Sequence, residues 1–130
     1  MSDEWKKIYL SYARKDDPEF AERLYLDLTA AGFSVWMDKY DMPSRGAPYN
    51  KEMIDAIEHA ERLLLVVGPE ALTSDYVNWE WKYAVEFGKA INPVLRKSGY
   101  KDLPYELKKL DAPDFREDKN YQKSWYFISL

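Results

Sequence analysis

The sequence predicts an α/β fold of three layers, in which helices cover both faces of one parallel sheet. Short apolar runs alternate with helical stretches at least three times along the chain. The third apolar run, LLLVV at residues 63–67, has no polar interruption, which is typical of a strand covered on both faces. Right-handed crossovers between such strands favour a five-stranded parallel sheet in the order 2-1-3-4-5.

The first strand is predicted from a short apolar run, and the first helix is predicted from the residues that cap its start. Residues 7–11 (KIYLS) form the strand, and Asp16-Asp17-Pro18 follow as a typical helix start, so we interpret both aspartates as caps of the first helix. Gly32 is placed where a left-handed residue ends a helix. Apolar residues on one face of this helix recur at spacings of four, four and three: Phe20, Leu24, Leu28 and Ala31.

A second strand, residues 33–37 (FSVWM), closes at Asp38 and leads into a long loop at residues 39–50. Long ordered loops in compact domains commonly carry function. The helix after the loop places four apolar residues on one face: Met53, Ile54, Ile57 and Ala60.

The third helix is predicted from about Ser74, as N-cap, to Phe87, with Gly88 ending it. Residues 91–95 form the fourth strand, and Pro93 within it argues against a place at the sheet centre. The remaining chain predicts a helical turn, a short last strand and a closing helix, at residues 103–110, 112–115 and 121–130.

Composition excludes several classes of function. A net charge of -4 with a pI near 5.1 offers no basic face for nucleic acid. The absence of cysteine excludes disulfides, a thiolate nucleophile and cysteine-ligated zinc, and the one histidine, His59, cannot form a multi-histidine metal site. We expect His59 to be buried or to cap a helix.

No apolar run approaches the length of a membrane span, so we expect no membrane partner and a cytoplasmic location.

The candidate site follows from the predicted strand order. In such a sheet, ligands bind beyond the carboxyl ends of the strands, between strands one and three. Residues after Ser11 and residues after Val67 must therefore line the crevice, and on the third helix Tyr76 and Glu80 share a face. The predicted site residues are Ser11, Tyr12, Arg14, Asp38, Tyr49, Tyr76 and Glu80.

Each of these residues also has a structural interpretation. From spacing alone, a solvated helix carboxylate is the commoner role for a residue such as Glu80. For Ser11 and Asp38 we favour local hydrogen bonds at strand ends over contact with a ligand. We place Trp81 in the core, on an apolar stripe with Val77, Ala84 and Val85.

Four segments in this order resemble the Toll/interleukin receptor (TIR) domain, over about residues 6 to 96: KIYLSYARKDD, GFSVWMDKYDMP, AIEHAERLLLVVGPEAL and SDYVNWEWKYAVEFGKAINPVL. The fold implied is flavodoxin-like, in agreement with the predicted strand order. LPYELKKLDAPDF is similar to the tail of bacterial TIR domains that precede larger sensor modules. We therefore expect residues 1–130 to be one TIR domain of a longer protein.

The resemblance to TIR domains that cleave NAD implies roles for single residues. Glu80 matches the catalytic glutamate, and Tyr76 stands where the family has a tryptophan. Arg14 matches a basic residue that faces NAD, and Tyr49 resembles an aromatic residue that stacks on the bound NAD. The loop departs from the family pattern, because Ser44 and Arg45 separate its proline from its glycine.

NAD+ enters this prediction as a substrate, and no metal or cofactor is expected. The resemblance implies an NAD+ nucleosidase, either a glycohydrolase or an ADP-ribose cyclase, that acts in immune or antiphage signalling and is activated by association with other TIR domains. A TIR module that binds other proteins without catalysis is the alternative. A phosphoacceptor receiver would need an aspartate at Gly68, and a Rossmann dehydrogenase would need a glycine cluster that the sequence lacks.

Overall fold

The computed structural model describes residues 7–37 and 51–129. Over these ranges four strands form one parallel sheet in the order β2-β1-β3-β4. The strands are β1 (Lys7–Ser11), β2 (Ser34–Trp36), β3 (Arg62–Val67) and β4 (Ala90–Leu95). The α/β class and the order of these strands are confirmed.

The predicted fifth strand at residues 112–115 is reduced to a single parallel bridge between Asp114 and Leu95. Leu95 donates its N–H to the Pro113 carbonyl (3.0 Å), and Phe115 donates to the Leu95 carbonyl (2.8 Å). Pro113 has no N–H with which to extend the ladder, so pairing stops after these two bonds. The segment lies beside β4, where the order 2-1-3-4-5 places it, and only the strand count differs.

Six α-helices accompany the sheet in the described ranges: α1 (Pro18–Ala30), α2 (Lys51–His59), α3 (Pro69–Thr73), α4 (Asp75–Glu86), α5 (Tyr105–Lys108) and α6 (Tyr121–Ser129). Ser74 caps α4 as predicted, since its hydroxyl accepts from the Val77 N–H at 3.2 Å. Gly32 and Gly88 have φ of 99° and 73°, which explains why both helix ends carry glycine. The short helix α3 was not predicted, because Gly68-Pro69 indicated only a break.

The core lies in two layers on opposite faces of the sheet. Leu64 and Val66 of β3 face α1 and α6, whereas Leu63, Leu65 and Val67 face α4. This alternation, with both faces covered, is the reason for the uninterrupted apolar run. Pro93 lies on β4, the last of the four strands, in agreement with its predicted place away from the sheet centre.

His59 departs from the prediction that it is buried. It is exposed in the last turn of α2, where Nδ1 lies 2.7 Å from the Asp55 carbonyl, so it retains only the role at a helix end. Separately, none of the helices in the described ranges combines the length and the apolar character that crossing a bilayer requires.

Candidate active site

The Glu80 side chain is buried against the carboxyl half of β1. It is 4% exposed, and its Oε1 accepts a hydrogen bond from the Ser11 hydroxyl at 2.8 Å. The Tyr9 hydroxyl donates to Oε2 of the same carboxylate. The solvated position that spacing alone favoured for Glu80 is therefore wrong, because α4 turns this carboxylate toward the sheet.

Alternation along β1 brings both hydroxyls to the same carboxylate. Residues two apart in a strand point to the same face, so Tyr9 and Ser11 both face α4. Sequence analysis identified Ser11 and missed Tyr9, although the same spacing rule could have found it. The Tyr9 ring is 0% exposed and stacks on Trp36 with centroids 4.7 Å apart, which holds the phenol in place.

Burial of a carboxylate has a large desolvation cost unless donors compensate it. Two hydroxyl donors at Glu80 supply charge-assisted hydrogen bonds, which are shorter and stronger than neutral ones. The result is a carboxylate of fixed orientation close to the carboxyl edge of the sheet. Such a preorganised group can stabilise positive charge that develops on a bound ligand.

Arg14 lies three residues beyond Ser11, in an exposed turn between β1 and α1. The turn is closed by the Asp16 N–H, which donates to the Ala13 carbonyl at 3.0 Å. Ser11 and Arg14 therefore lie on one continuous stretch of chain at the carboxyl edge, with Glu80 bound to its first residue.

The two aspartates of this stretch have different partners. Asp17 caps α1 as predicted, because its Oδ1 accepts from the Phe20 N–H at 3.1 Å. The prediction that Asp16 caps the same helix is wrong. Its carboxylate accepts from the N–H groups of Glu70 and Ala71 in α3, at 3.0 and 2.9 Å.

Tyr76 is half-buried one turn before Glu80 on α4, and its hydroxyl donates to the Met53 sulfur of α2. Tyr12 is 9% exposed and belongs to the core layer on the α1 face, opposite to the layer of Tyr9. The structure thus brings Ser11, Glu80 and Tyr9 into contact, and it places Tyr12 on the other face. The predicted residues Asp38 and Tyr49 lie outside the described residues.

The tryptophans of α4 have separate environments. Trp81 is 3% exposed, and its indole N–H donates to Asn78 at 2.9 Å, so its predicted place in the core is confirmed. Val77 and Ala84 share that core, whereas Val85 is 52% exposed and does not belong to the predicted stripe. Trp79 stacks on Tyr83, with ring centroids 5.0 Å apart.

An open cleft of about 660 Å³ lies beyond the end of β4. Its lining includes Arg96, Lys97, Ser98 and Arg116, and Glu80 is not part of it. Hydrogen bonding to Arg96 holds the pKa of Asp118 below its ordinary value, so that guanidinium is already engaged. Across residues 7–37 and 51–129, no group of three or more histidine, aspartate or glutamate side chains is arranged to hold a metal ion.

The sequence model of the TIR-domain family matches residues 8–125. Because that match spans most of the chain, the protein belongs to the TIR-domain family. No curated protein is similar enough to the sequence to count as a match.

Solved structures show the same fold. The TIR domain of the Toll-related receptor TRR-2 from Hydra magnipapillata has a TM-score of 0.79 at 20% identity, over 94% of each chain. The TIR domains of the activated Roq1 resistosome, which recognises the pathogen effector XopQ, have a TM-score of 0.75 at 17% identity, over 93% of this chain and 95% of that one. A TIR-STING receptor from C. gigas in complex with 2′,3′-cGAMP has a TM-score of 0.74 at 24% identity, and the match covers 95% of this chain and 39% of that one.

Proposed function

We propose that this TIR domain is an NAD+ nucleosidase with Glu80 as its catalytic residue. The observation that carries the proposal is the Glu80 carboxylate, 4% exposed and held by hydroxyls of Tyr9 and Ser11 beside the carboxyl end of β1. Ligands of doubly wound parallel sheets bind at this edge. A buried carboxylate that is fixed by two donors at this edge is well placed to act on a bound ligand.

The chemistry of NAD+ suits a single carboxylate. Breaking the bond between ribose C1′ and the pyridinium nitrogen leaves the electron pair on nicotinamide, which departs as a neutral molecule and needs no general acid. Most glycosidases, in contrast, need a second carboxyl group to protonate the leaving oxygen. The ribose gains positive charge in the transition state, and the Glu80 carboxylate stabilises that charge.

The nucleophile determines the product. Water that adds to C1′ and loses a proton gives ADP-ribose, and an adenine ring nitrogen that attacks C1′ gives a cyclic isomer. Both routes use the same bond cleavage, so the role of Glu80 is the same in both.

The remaining site residues divide by their contacts. Ser11 binds Glu80 at 2.8 Å, so we propose that it orients the carboxylate rather than the ligand. Arg14, exposed on the turn after β1, is suited to the diphosphate of NAD+. Tyr76 packs toward α2 beside the site, and Tyr12 supports β1 from the other face. Ligand contacts of Asp38 and Tyr49 stay predictions.

We further propose that association with other TIR domains activates the enzyme, in an immune or antiphage pathway of the cytoplasm. The similarity to the TIR domains of the activated Roq1 resistosome supports an assembled active form. An active site that is completed in an assembly gives turnover that rises more steeply than protein concentration. Neither nucleic acid nor membrane is among the proposed partners.

The test of catalysis is Glu80→Gln, which keeps the shape of the side chain and removes its charge. We expect nicotinamide release from NAD+ to fall by about 100-fold or more, since loss of one preorganised electrostatic group has effects of this size. Nicotinamide is measured by chromatography over a series of protein concentrations. Glu86→Gln, at the exposed end of the same helix, is the matched control and should keep wild-type turnover.

A second candidate is a TIR module that binds other proteins without catalysis. The observation in its favour is that both carboxylate oxygens of Glu80 accept hydrogen bonds from hydroxyls of β1, as in a structural link between α4 and the sheet. If this candidate is right, the wild-type chain releases no nicotinamide even when assembled, and Glu80→Gln leaves association intact. Substitutions in residues 39–50 would then abolish association.

A further inference from the structure

We propose that Asp16 is a positioning residue of the candidate site, and that residue 68 is glycine because any side chain there would displace the Asp16 carboxylate. In this arrangement the carboxylate ties the turn that carries Arg14 to α3, the short helix that follows β3. The inference rests on the proposed NAD+ cleavage, because it assigns to the turn an effect on the binding of NAD+.

The tie consists of two hydrogen bonds over a long sequence separation. Oδ1 of Asp16 accepts from the Glu70 N–H at 3.0 Å, and Oδ2 accepts from the Ala71 N–H at 2.9 Å. The two N–H groups belong to the first turn of α3, where helical N–H groups have no partner within the helix. A carboxylate that accepts two backbone N–H groups is held in both position and orientation.

Gly68 provides the space for this contact. A Cβ built on Gly68 would lie 2.5 Å from Oδ2 and 2.8 Å from Oδ1 of Asp16, closer than atoms can approach. The Gly68 backbone is extended, with φ of -157° and ψ of 169°, a conformation that any residue can adopt. The need for glycine therefore comes from the carboxylate and not from the backbone.

The turn is anchored at both of its ends. Ser11, before the turn, binds Glu80, and Asp16, which closes the turn, binds α3. Asp17 adds a third anchor, since its Oδ2 accepts from Nε of Arg96 at 2.9 Å, just after β4. Arg14 lies between these anchors, so its position relative to Glu80 depends on them.

Loss of the Asp16 anchor should therefore weaken binding more than it slows bond cleavage. Glu80 keeps its donors Tyr9 and Ser11 when Asp16 is changed, and the charge that acts on the ribose stays in place. Arg14 would sample positions away from the ligand, which lowers affinity. A purely structural role for Asp16 would instead reduce the folded fraction and lower kcat at constant KM.

The experiment is a double-mutant cycle of Asp16→Ala and Gly68→Ala in the NAD+ cleavage assay, with Asp16→Asn as a milder variant. We expect each single change to raise KM for NAD+ by about tenfold, with kcat changed by less than about twofold. In the double variant the added methyl no longer meets a carboxylate, so KM should equal that of Asp16→Ala alone. Hydrogen exchange of the Glu70 and Ala71 N–H groups should accelerate in Asp16→Ala, in Gly68→Ala and in the double variant.

Asp27→Asn is the matched control, because Asp27 also accepts a side-chain hydrogen bond, from Tyr121, but lies at the opposite end of α1. Its KM should equal the wild-type value. Additive effects of Asp16→Ala and Gly68→Ala, or unchanged KM in both, would overturn this inference while NAD+ cleavage stands. A wild-type chain without turnover under assembling conditions would overturn the proposed function, and the inference with it.

Discussion

At the scale of single residues, the hydrogen bond from Ser11 to Glu80 fixes the orientation of the candidate catalytic carboxylate. Both are buried, at 1% and 4% exposure, and the serine hydroxyl donates to an oxygen of the carboxylate. In a buried environment an acceptor that loses its donor keeps its full desolvation cost. Ser11 therefore contributes to stability through a partner that is 69 positions away in the sequence.

Ser11→Ala should lower the free energy of unfolding by about 1–3 kcal/mol, the cost of a buried charged group that loses one hydrogen bond. Chemical denaturation of the wild type and the variant measures this difference. Ser34→Ala, at an exposed strand position of β2, is the control and should change the free energy of unfolding by less than about 0.5 kcal/mol. Equal stability of Ser11→Ala and wild type would contradict the contact.

At the scale of elements, α4 presents different residues to two neighbours. Glu80 faces the sheet, while two tyrosines of α4 reach α2, from Tyr76 to Met53 and from Tyr83 to Glu58. Because α2 follows residues 39–50 in the chain, these contacts connect the helix that carries Glu80 to the helix after the predicted loop.

The hydrogen bond from Tyr83 to Glu58, 2.6 Å long, raises the pKa of Tyr83 to about 12. Since the folded state keeps the proton more firmly than the unfolded chain, this bond stabilises the fold fully below pH about 10, the ordinary tyrosine pKa, and the effect is lost as the pH rises toward about 12. Glu58→Gln should move the pKa of Tyr83 back toward its ordinary value.

The Tyr83 pKa is measured from the NMR shift of its ring Cζ carbon during a pH titration. Glu52→Gln is the matched control, because Glu52 lies in the first turn of α2, the helix that also carries Glu58. This change should leave the Tyr83 pKa at its wild-type value. An unchanged Tyr83 pKa in Glu58→Gln would show that the two helices do not make this contact in solution.

At the scale of the whole molecule, the segment after β4 closes both layers of the core. Leu103 and Leu107 join the layer on the α4 face, whereas Phe115, Tyr121 and Ile128 join the layer on the α1 face. Phe115 is 1% exposed and makes edge contacts with Phe20 and Tyr121, at centroid distances of 5.4 and 5.5 Å. The segment is therefore part of the cooperative fold, although it adds only one bridge to the sheet.

Phe115→Ala should lower the free energy of unfolding by about 3–5 kcal/mol, because it removes a buried ring and leaves a cavity. Domains of this kind have total stabilities of about 5–15 kcal/mol, so the variant should be close to unfolding. Phe127→Ala removes the same ring from a side chain that is 67% exposed and should change stability by less than about 0.5 kcal/mol. A loss for Phe115→Ala no larger than for Phe127→Ala would mean that the segment folds independently of the sheet.

The sequence by itself determined the order of the elements and the ends of several of them. Ser74, Asp17 and the two glycines at helix ends act through neighbours within four residues, so local spacing was sufficient to assign them. The alternation of strands and helices likewise determined the parallel sheet and its strand order, and hence the edge at which Ser11 and Glu80 meet.

Only the tertiary structure decided which side chains meet across the fold. Tyr9 reaches Glu80 over 71 positions, and Asp16 reaches α3 over 54 and 55 positions rather than capping the adjacent helix. Periodicity predicts which face of its own helix or strand a side chain lies on. It carries no information about how far that side chain is from residues on other elements. Burial of Glu80 and the close approach at Gly68 depend on how the layers pack, which is why spacing alone placed the carboxylate in solvent and the aspartate at the wrong helix.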